Sequence, residues 1–262
     1  MKFLAMLFAI LIHRRAIPVE FSWPARWNPA PVGGLRLWIF ALGPALGVAL
    51  LLGVAGSWLW GSLGLLVQLL VLLGCLGGSD WRRLFDHLAA AGEHGDLQAA
   101  LHRLDELNGA VPVADGAALH RAMAETLALN FVREWFGPLF WFVLLGAPGA
   151  LGYRCLERIA ATSGRGRALL TLLDWPALCA FGLATAVAGP SGRALGVWAA
   201  TLFAVASPAQ RAGAYAAAAL EEPPRELPAG IALASRVRML EALLKRTVLA
   251  WLALVALVWI LG

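Results

Sequence analysis

The sequence predicts an all-α protein that crosses a membrane several times and carries a small cytoplasmic helical insertion. Of its 262 residues, 60% are apolar and only 14% are charged, whereas soluble domains carry roughly 25% charged residues. The apolar residues form continuous Leu/Ala/Val-rich runs, which indicate membrane helices and not the short alternating segments of a barrel. One amphipathic segment separates these runs and predicts the insertion.

Residues 1–78 are predicted to form a first membrane region, made of a short helix and a helical hairpin. The short helix, over 3–12, is expected to be retained, because basic residues follow it and no small-residue cleavage site appears. A Pro/Gly-rich loop leads to an almost uncharged stretch about twice the roughly 20 residues that one crossing needs. This stretch predicts crossings over 37–56 and 58–78, with a tight turn between them.

Residues 79–134 are predicted to form the cytoplasmic insertion. Leucines recur there at steps of three and four residues, with polar residues on the other face, as in short amphipathic helices. Gly92, Gly95 and Gly109 are expected to break this pattern, and Asp115 is expected to cap the following helix.

Residues 135–262 are predicted to form a second membrane region. Apolar runs predict crossings over 135–153, 169–189 and 248–261, with amphipathic helices before the last one. If these segments all cross, most of the 21 Lys and Arg residues collect on the side of the insertion, which places the insertion in the cytoplasm. Single cysteines at Ala91 and Gly164 are then expected to label from opposite sides.

Charge and cysteine usage exclude several function classes. The net charge of +5 is ordinary for a membrane protein, so membrane lipids are the expected partners and nucleic acid is not. Three cysteines, an odd number in apolar runs, predict no disulfide framework. The histidines of the insertion are interpreted as solvated, so no metal site is predicted. No phosphate loop and no catalytic triad is recognisable, so no catalytic residue is assigned.

The approach to the apolar run that begins at Trp135 is unusually polar. The charges there have two explanations: they extend from an amphipathic helix to the membrane surface, or they line a pocket. Pro138 favours a pocket, because proline kinks a helix and frees the carbonyl four residues before it. Asp174 is a further candidate, since ionisable residues within apolar runs are often functional. The ligand-binding candidates are Glu125, Asn130, Arg133, Glu134, Tyr153 and Asp174.

The same stretch carries a resemblance to known families. Glu125 to Asn130, followed by GPLFW (137–141), GAPGA (146–150) and Tyr153, resembles the AmpE family of bacterial inner-membrane proteins, which are linked to β-lactamase induction. AmpE proteins are related to the CobD/CbiB proteins of cobalamin biosynthesis. The other residues at motif positions are Gly137, Pro138, Leu139, Phe140 and Gly149. The chain departs from the CobD/CbiB pattern at Leu129, where that pattern has Glu, and after Tyr153, where it has a polar run.

The resemblance implies two functions of different classes. The first is a multi-pass regulator of the bacterial inner membrane in the response to β-lactams and cell-wall stress, which binds a nucleotide, an envelope metabolite or a signalling partner. The second is a membrane-bound amide ligase of cobalamin biosynthesis, for which ATP is the implied cofactor. The departures from the CobD/CbiB pattern favour the regulator at this stage.

Overall fold

The computed structural model describes residue 6 and residues 35–55, 62–76, 80–108, 116–189, 192–204, 206–220 and 228–261. Every regular element within these ranges is a helix, which confirms the all-α prediction. The eleven α-helices that we number here are α1 (Leu35–Ala55), α2 (Ser62–Cys75), α3 (Asp80–Glu93), α4 (Leu97–Asn108), α5 (Gly116–Phe131), α6 (Gly137–Leu145), α7 (Ala147–Ala160), α8 (Gly164–Ala188), α9 (Arg193–Thr201), α10 (Pro208–Ala219) and α11 (Ala229–Leu261). A π-helical turn, Val132–Phe136, joins α5 to α6.

Several sequence predictions fall outside the described residues. These are the short helix over 3–12, the turn of the first hairpin and the cap at Asp115. The two arms of that hairpin are present as α1 and α2.

The described chain separates into two compact units. The first unit lies within residues 1–79 and 133–177, and the second within residues 80–132 and 178–262. The limits of the predicted insertion, 79 and 134, fall close to these changes of unit. The region predicted as the C-terminal membrane domain contributes to both units, so the division into three domains stays a prediction.

In the first unit, α7 is the central helix and packs against α1, α2 and α6. Its buried face includes small and aromatic side chains, among them Ala147, Ala150, Tyr153 and Cys155, each at most 1% exposed. Small side chains allow helix backbones to approach closely, which suits packing in lipid, where van der Waals contact drives helix association.

The prediction of a single crossing over 135–153 is wrong, because the chain turns back at Gly146. Helix α6 has nine residues and spans about 13 Å, less than half of a bilayer core of about 30 Å. A Cβ on Gly137, at the start of α6, would lie 2.7 Å from the ring of Tyr153. A straight helix would separate these residues by about 24 Å. Helices α6 and α7 therefore form a tight hairpin.

The turn of this hairpin depends on glycine. Gly146 has φ 76° and ψ −160°, a conformation that is essentially restricted to glycine. Its N–H donates to the carbonyl of Phe142 at 2.8 Å and closes α6, while Pro148 lies in the first turn of α7. The apolar pattern alone could not show this break, because it continues through both helices.

In the second unit, α10 packs mainly against α5, and α3 packs mainly against α11. Helix α10 begins with a capping box, in which Ser207 Oγ accepts from the N–H of Gln210 and Gln210 Oε1 accepts from the N–H of Ser207. The predicted break at Gly92 is wrong: Gly92 lies within α3 and allows close approach of α11 near Gly230. The chain turns at Gly95 instead, as predicted, with φ 73°.

Two of the described helices are long and apolar enough to cross a membrane. They are α8 and the part of α11 from Gly230 to Leu261. The predicted terminal crossing over 248–261 is the end of one continuous helix of 33 residues that also includes the preceding amphipathic segment. The apolar parts of α1 and α2 are shorter, and multiple crossings therefore stay a prediction.

Candidate functional site

The polar approach to α6 is reshaped by the π-helical turn Val132–Phe136. A π turn hydrogen-bonds from residue i to i+5, and such turns are frequent at functional sites. It comes directly before Gly137 and Pro138, where proline was expected to kink the helix. The kink itself stays a prediction. The turn places Arg133 and Glu134 within the disturbed segment.

Three of the predicted ligand-binding residues meet in the first unit, and we call Arg133, Tyr153 and Asp174 the Asp174 cluster. Arg133 donates from Nε and Nη2 to Asp174 Oδ2, at 3.2 and 3.0 Å. The Tyr153 hydroxyl donates to Asp174 Oδ1 at 2.7 Å. Asp174 is fully buried, whereas the Arg133 side chain is 28% exposed. Both oxygens of a buried carboxylate are thus satisfied, as burial of a charge requires.

The glycines of the family motif explain how Tyr153 reaches Asp174. A Cβ on Gly137 would come within 2.7 Å of the Tyr153 hydroxyl, so only glycine leaves room for the ring. A Cβ on Gly149 would lie 2.5 Å from the Trp141 carbonyl oxygen. Glycine at this position therefore allows α7 to pack close to α6. Pro138, Leu139 and Phe140 are buried in the same hairpin. These motif positions form the scaffold of the cluster.

The chemistry of the cluster depends on the guanidinium of Arg133, a partly exposed side chain. Asp174 uses two of the five guanidinium donors and fixes the plane of the group. The Arg133 side chain as a whole is 28% exposed. A fixed guanidinium binds carboxylate or phosphate in a planar, paired geometry, which an unrestrained lysine does not provide.

A second group of charges in the first unit involves Glu134. Arg154 is buried and forms an ion pair with Glu157. The Glu134 carboxylate also interacts electrostatically with the Arg154 guanidinium. The first unit therefore contains Arg133, Glu134, Tyr153 and Asp174 of the predicted site.

The two remaining candidates, Glu125 and Asn130, belong to the second unit. Glu125 lines a cavity of about 450 Å³, and Asn130 is half-buried on α5. The expectation that one pocket holds all six candidates stays a prediction.

Sequence reasoning missed most of that cavity. Arg193 and Arg236 line it from α9 and α11, far along the chain from α5. They carry no local motif, since they come together only through helix packing. Among the described residues, no group of three or more His, Cys, Asp or Glu side chains could hold a metal ion. The three cysteines are free, and Cys75 and Cys155 are buried.

The chain matches the model of a known protein family. The model of the family described as "CobD/Cbib protein" matches residues 6–168. This range includes Arg133, Tyr153 and the α6–α7 hairpin but ends before Asp174. No solved structure matches the chain.

Curated relatives point to the same family. A "Cobalamin biosynthesis protein CobD" of Klebsiella pneumoniae is 30% identical over 136 residues, which cover 51% of this chain and 42% of that protein. Another, of Chromobacterium violaceum, is 32% identical over 142 residues, which cover 52% of this chain and 46% of that protein. This chain thus spans less than half the length of these relatives. The comparisons support the CobD/CbiB resemblance and give no support to AmpE, β-lactamase induction or signalling, so the ranking of the two functions is corrected.

Proposed function

Because this chain belongs to the CobD/CbiB family, we propose that it acts in cobalamin biosynthesis as a membrane-bound, ATP-dependent amide ligase. The relatives from Klebsiella and Chromobacterium bear the name "Cobalamin biosynthesis protein CobD". The acceptor would be a corrinoid carboxylic acid and the second substrate an amine. The two candidate membrane-spanning helices support membrane attachment, and the bacterial relatives favour a multi-pass inner-membrane location.

The observation that carries this proposal is the fixed, partly exposed guanidinium of Arg133. Asp174 orients one edge of the group, and the other edge can pair with the substrate carboxylate. Holding a reactant in one orientation removes much of the entropic cost of a reaction between two molecules. The Arg133 charge would also stabilise negative charge that develops at the acyl group.

The reaction itself would proceed in two steps. A carboxylate oxygen takes the terminal phosphoryl group of ATP, so that ADP leaves and an acyl phosphate forms. The amine nitrogen then attacks the acyl carbon, the C–N bond forms, phosphate leaves and the amine releases a proton. In both steps Arg133 positions and stabilises the acyl group, and Tyr153 and Asp174 position Arg133.

A second candidate function is binding of the same acid without amide formation. It is favoured by Leu129, which replaces a glutamate of the family pattern, and by the LERIAATSG sequence (156–164), which replaces a polar run. Leu129 is buried, so it cannot take the role of a carboxylate in a polar site. The regulatory role in β-lactam response has no such support and is not proposed.

The test is ATP-dependent amide formation by the purified full chain in mild detergent, followed by mass spectrometry of the corrinoid product. We expect product with the wild type and a loss of at least about tenfold in Arg133→Lys, because lysine lacks the planar paired donors. Arg165→Gln is the matched control, since Arg165 is an exposed arginine of the same unit. Binding of the acid without any ATP-dependent amide would instead establish the second candidate.

A further inference from the structure

Helix α9 exposes an apolar face. After its first residue, Arg193, its exposed positions are Leu195, Gly196, Ala199 and Ala200. Phe203, which follows the helix, is 81% exposed. A helix that faces water normally exposes charged and polar side chains instead. The sequence is also uncharged from 194 to 220 except for Arg211, so this surface suits an apolar partner.

Helix α9 runs antiparallel to α8, one of the two described helices that are long and apolar enough to cross a membrane. Near the start of α9, Ala194 belongs to a buried cluster against which Ala186 and Ala188 pack. Further along, Trp198 donates from Nε1 to the Cys179 carbonyl at 2.8 Å. Later residues of α9 thus meet earlier residues of α8, so α9 lies beside α8 and points back along it.

Helix α10 then runs in the same direction as α8. A Cβ on Gly182 would lie 2.6 Å from Cδ1 of Trp198 and 2.7 Å from Cδ2 of Tyr215, so α8, α9 and α10 meet at this level. A Cβ on Gly189 would lie 2.7 Å from the Cβ of Ala219. The chain therefore leaves the end of α8, goes back along it in α9 and returns to its end in α10.

The turn between α9 and α10 has partners for its backbone within the protein. Arg211 is buried and donates from Nη1 to the Leu202 carbonyl at 3.2 Å and from Nη2 to the Ala204 carbonyl at 2.7 Å. The N–H of Ser207 donates to Oε1 of Gln210 at 3.0 Å. Water satisfies such groups on an exposed loop, whereas a turn at membrane depth must find partners in the protein. Arginines inside membranes face the protein interior and pair with backbone carbonyls, as Arg211 does.

The length of the two helices determines how deep the turn can lie. Helix α9 has nine residues and α10 has twelve, which correspond to about 13 and 18 Å. Both are much shorter than a hydrocarbon core of about 30 Å, so neither can cross it. Exposed apolar side chains of the same unit continue this surface on both candidate membrane helices, with Val187 on α8 and Leu249 on α11.

We propose that α9 and α10 form a re-entrant hairpin, which enters the bilayer from the side on which α8 ends and turns near its middle. The exposed face of α9, from Leu195 to Phe203, contacts lipid acyl chains, and Arg211 satisfies the carbonyls of the buried turn. This proposal rests on the membrane attachment proposed above, but it does not depend on the ligase reaction.

The test measures the depth of single nitroxide labels on the full chain. Leu195, Ala199, Phe203, Leu257 and Gln98 are each replaced by cysteine in a background without the three native cysteines, and the labelled proteins are placed in nanodiscs of phosphatidylcholine and phosphatidylglycerol. Electron paramagnetic resonance compares collisions with oxygen, which concentrates in lipid, and with a water-soluble nickel chelate. Leu257, exposed on the apolar end of α11, is the lipid control, and Gln98, exposed on the amphipathic α4, is the water control.

We expect oxygen collisions to exceed nickel collisions at all three α9 positions, as at Leu257 and opposite to Gln98. The ratio of oxygen to nickel collisions should rise from Leu195 to Phe203, which lies at most about 12 Å deeper because eight residues separate the two.

The other outcomes overturn the proposal in distinguishable ways. An excess of nickel collisions along α9 but not at Leu257 would place α9 in water and leave membrane attachment standing. An excess of nickel collisions at Leu257 as well would remove both. A constant ratio along α9 would show a helix that lies flat on the membrane surface. Few collisions with either reagent would show that a second copy of the chain covers this face.

Discussion

The two basic sites of this protein differ in how their arginines are satisfied. In the Asp174 cluster, the guanidinium of Arg133 is tied to a fully buried carboxylate, which a tyrosine also holds. In the cavity that Glu125, Arg193 and Arg236 line in the second unit, Arg236 and His120 each have a buried nitrogen with which no described group pairs. The first arrangement fixes one cation in a single orientation. The second leaves one nitrogen of each side chain without an internal partner among the described residues, so the two sites differ in how completely their basic groups are paired.

The largest expected effect is the loss of stability when the buried ion pair is broken. Asp174→Ala removes the acceptor of both Arg133 and Tyr153, and loss of one partner of a buried pair costs about 3–5 kcal/mol. Chemical unfolding of the purified protein in mild detergent measures this loss. Asp86→Ala is the control, because Asp86 pairs with Arg238 at 2.7 Å on the surface, where such a pair contributes at most about 1 kcal/mol. Similar losses of stability in both variants would show that the buried pair contributes no more to stability than the surface pair.

A smaller effect is expected from crowding in the α6–α7 hairpin. Gly137→Ala brings a Cβ to within 2.7 Å of the Tyr153 ring, and overpacking of this kind costs about 1–3 kcal/mol. The displaced ring should also release Asp174, so acid binding at Arg133 should weaken together with stability. Gly196→Ala is the control, since its Cβ would meet nothing within 4 Å and alanine favours a helix interior. Unchanged stability and binding in Gly137→Ala would contradict the close packing of the hairpin.

The smallest effect is expected from His120, in the cavity. Burial, and secondarily the nearby Arg236 guanidinium, lower the pKa of His120 below its ordinary value of 6.5. The unfolded chain then binds more protons than the folded chain as the pH falls below about 7, so acidification favours unfolding. Stability should decline as the pH falls through 6.5 toward the lower pKa of the folded state. Thermal midpoints measured across this range should show a steeper decline in the wild type than in His120→Gln. Parallel curves would indicate that His120 titrates as it does in the unfolded chain.

The sequence predicted the parts of this structure that depend on local pattern. Continuous apolar runs predicted the helices, and Asp174 was identified because it is an ionisable residue within such a run. The pairing of Arg133 with Asp174 could not be predicted, because 41 residues separate them and helix packing alone brings them together. The arginines of the cavity come together in the same way. The turn at Gly146 was missed because the apolar pattern continues through it. The continuity of α11 was missed because the pattern changes from amphipathic to apolar within one helix.

The hairpin at Gly146 would change the number of predicted membrane crossings from odd to even, or from even to odd. A crossing moves the chain to the other side of the bilayer, whereas a segment that enters and turns back returns it to the side from which it came. If the predicted multi-pass topology holds, the link with Arg158, Arg165 and Arg167 would lie on the side from which the chain enters α6, and not on the opposite side, as the sequence predicted. These arginines would then no longer oppose the preference of basic residues for the cytoplasm. A cysteine at Gly164 should accordingly be labelled from the cytoplasmic face, and labelling from the periplasm would restore an odd number of crossings.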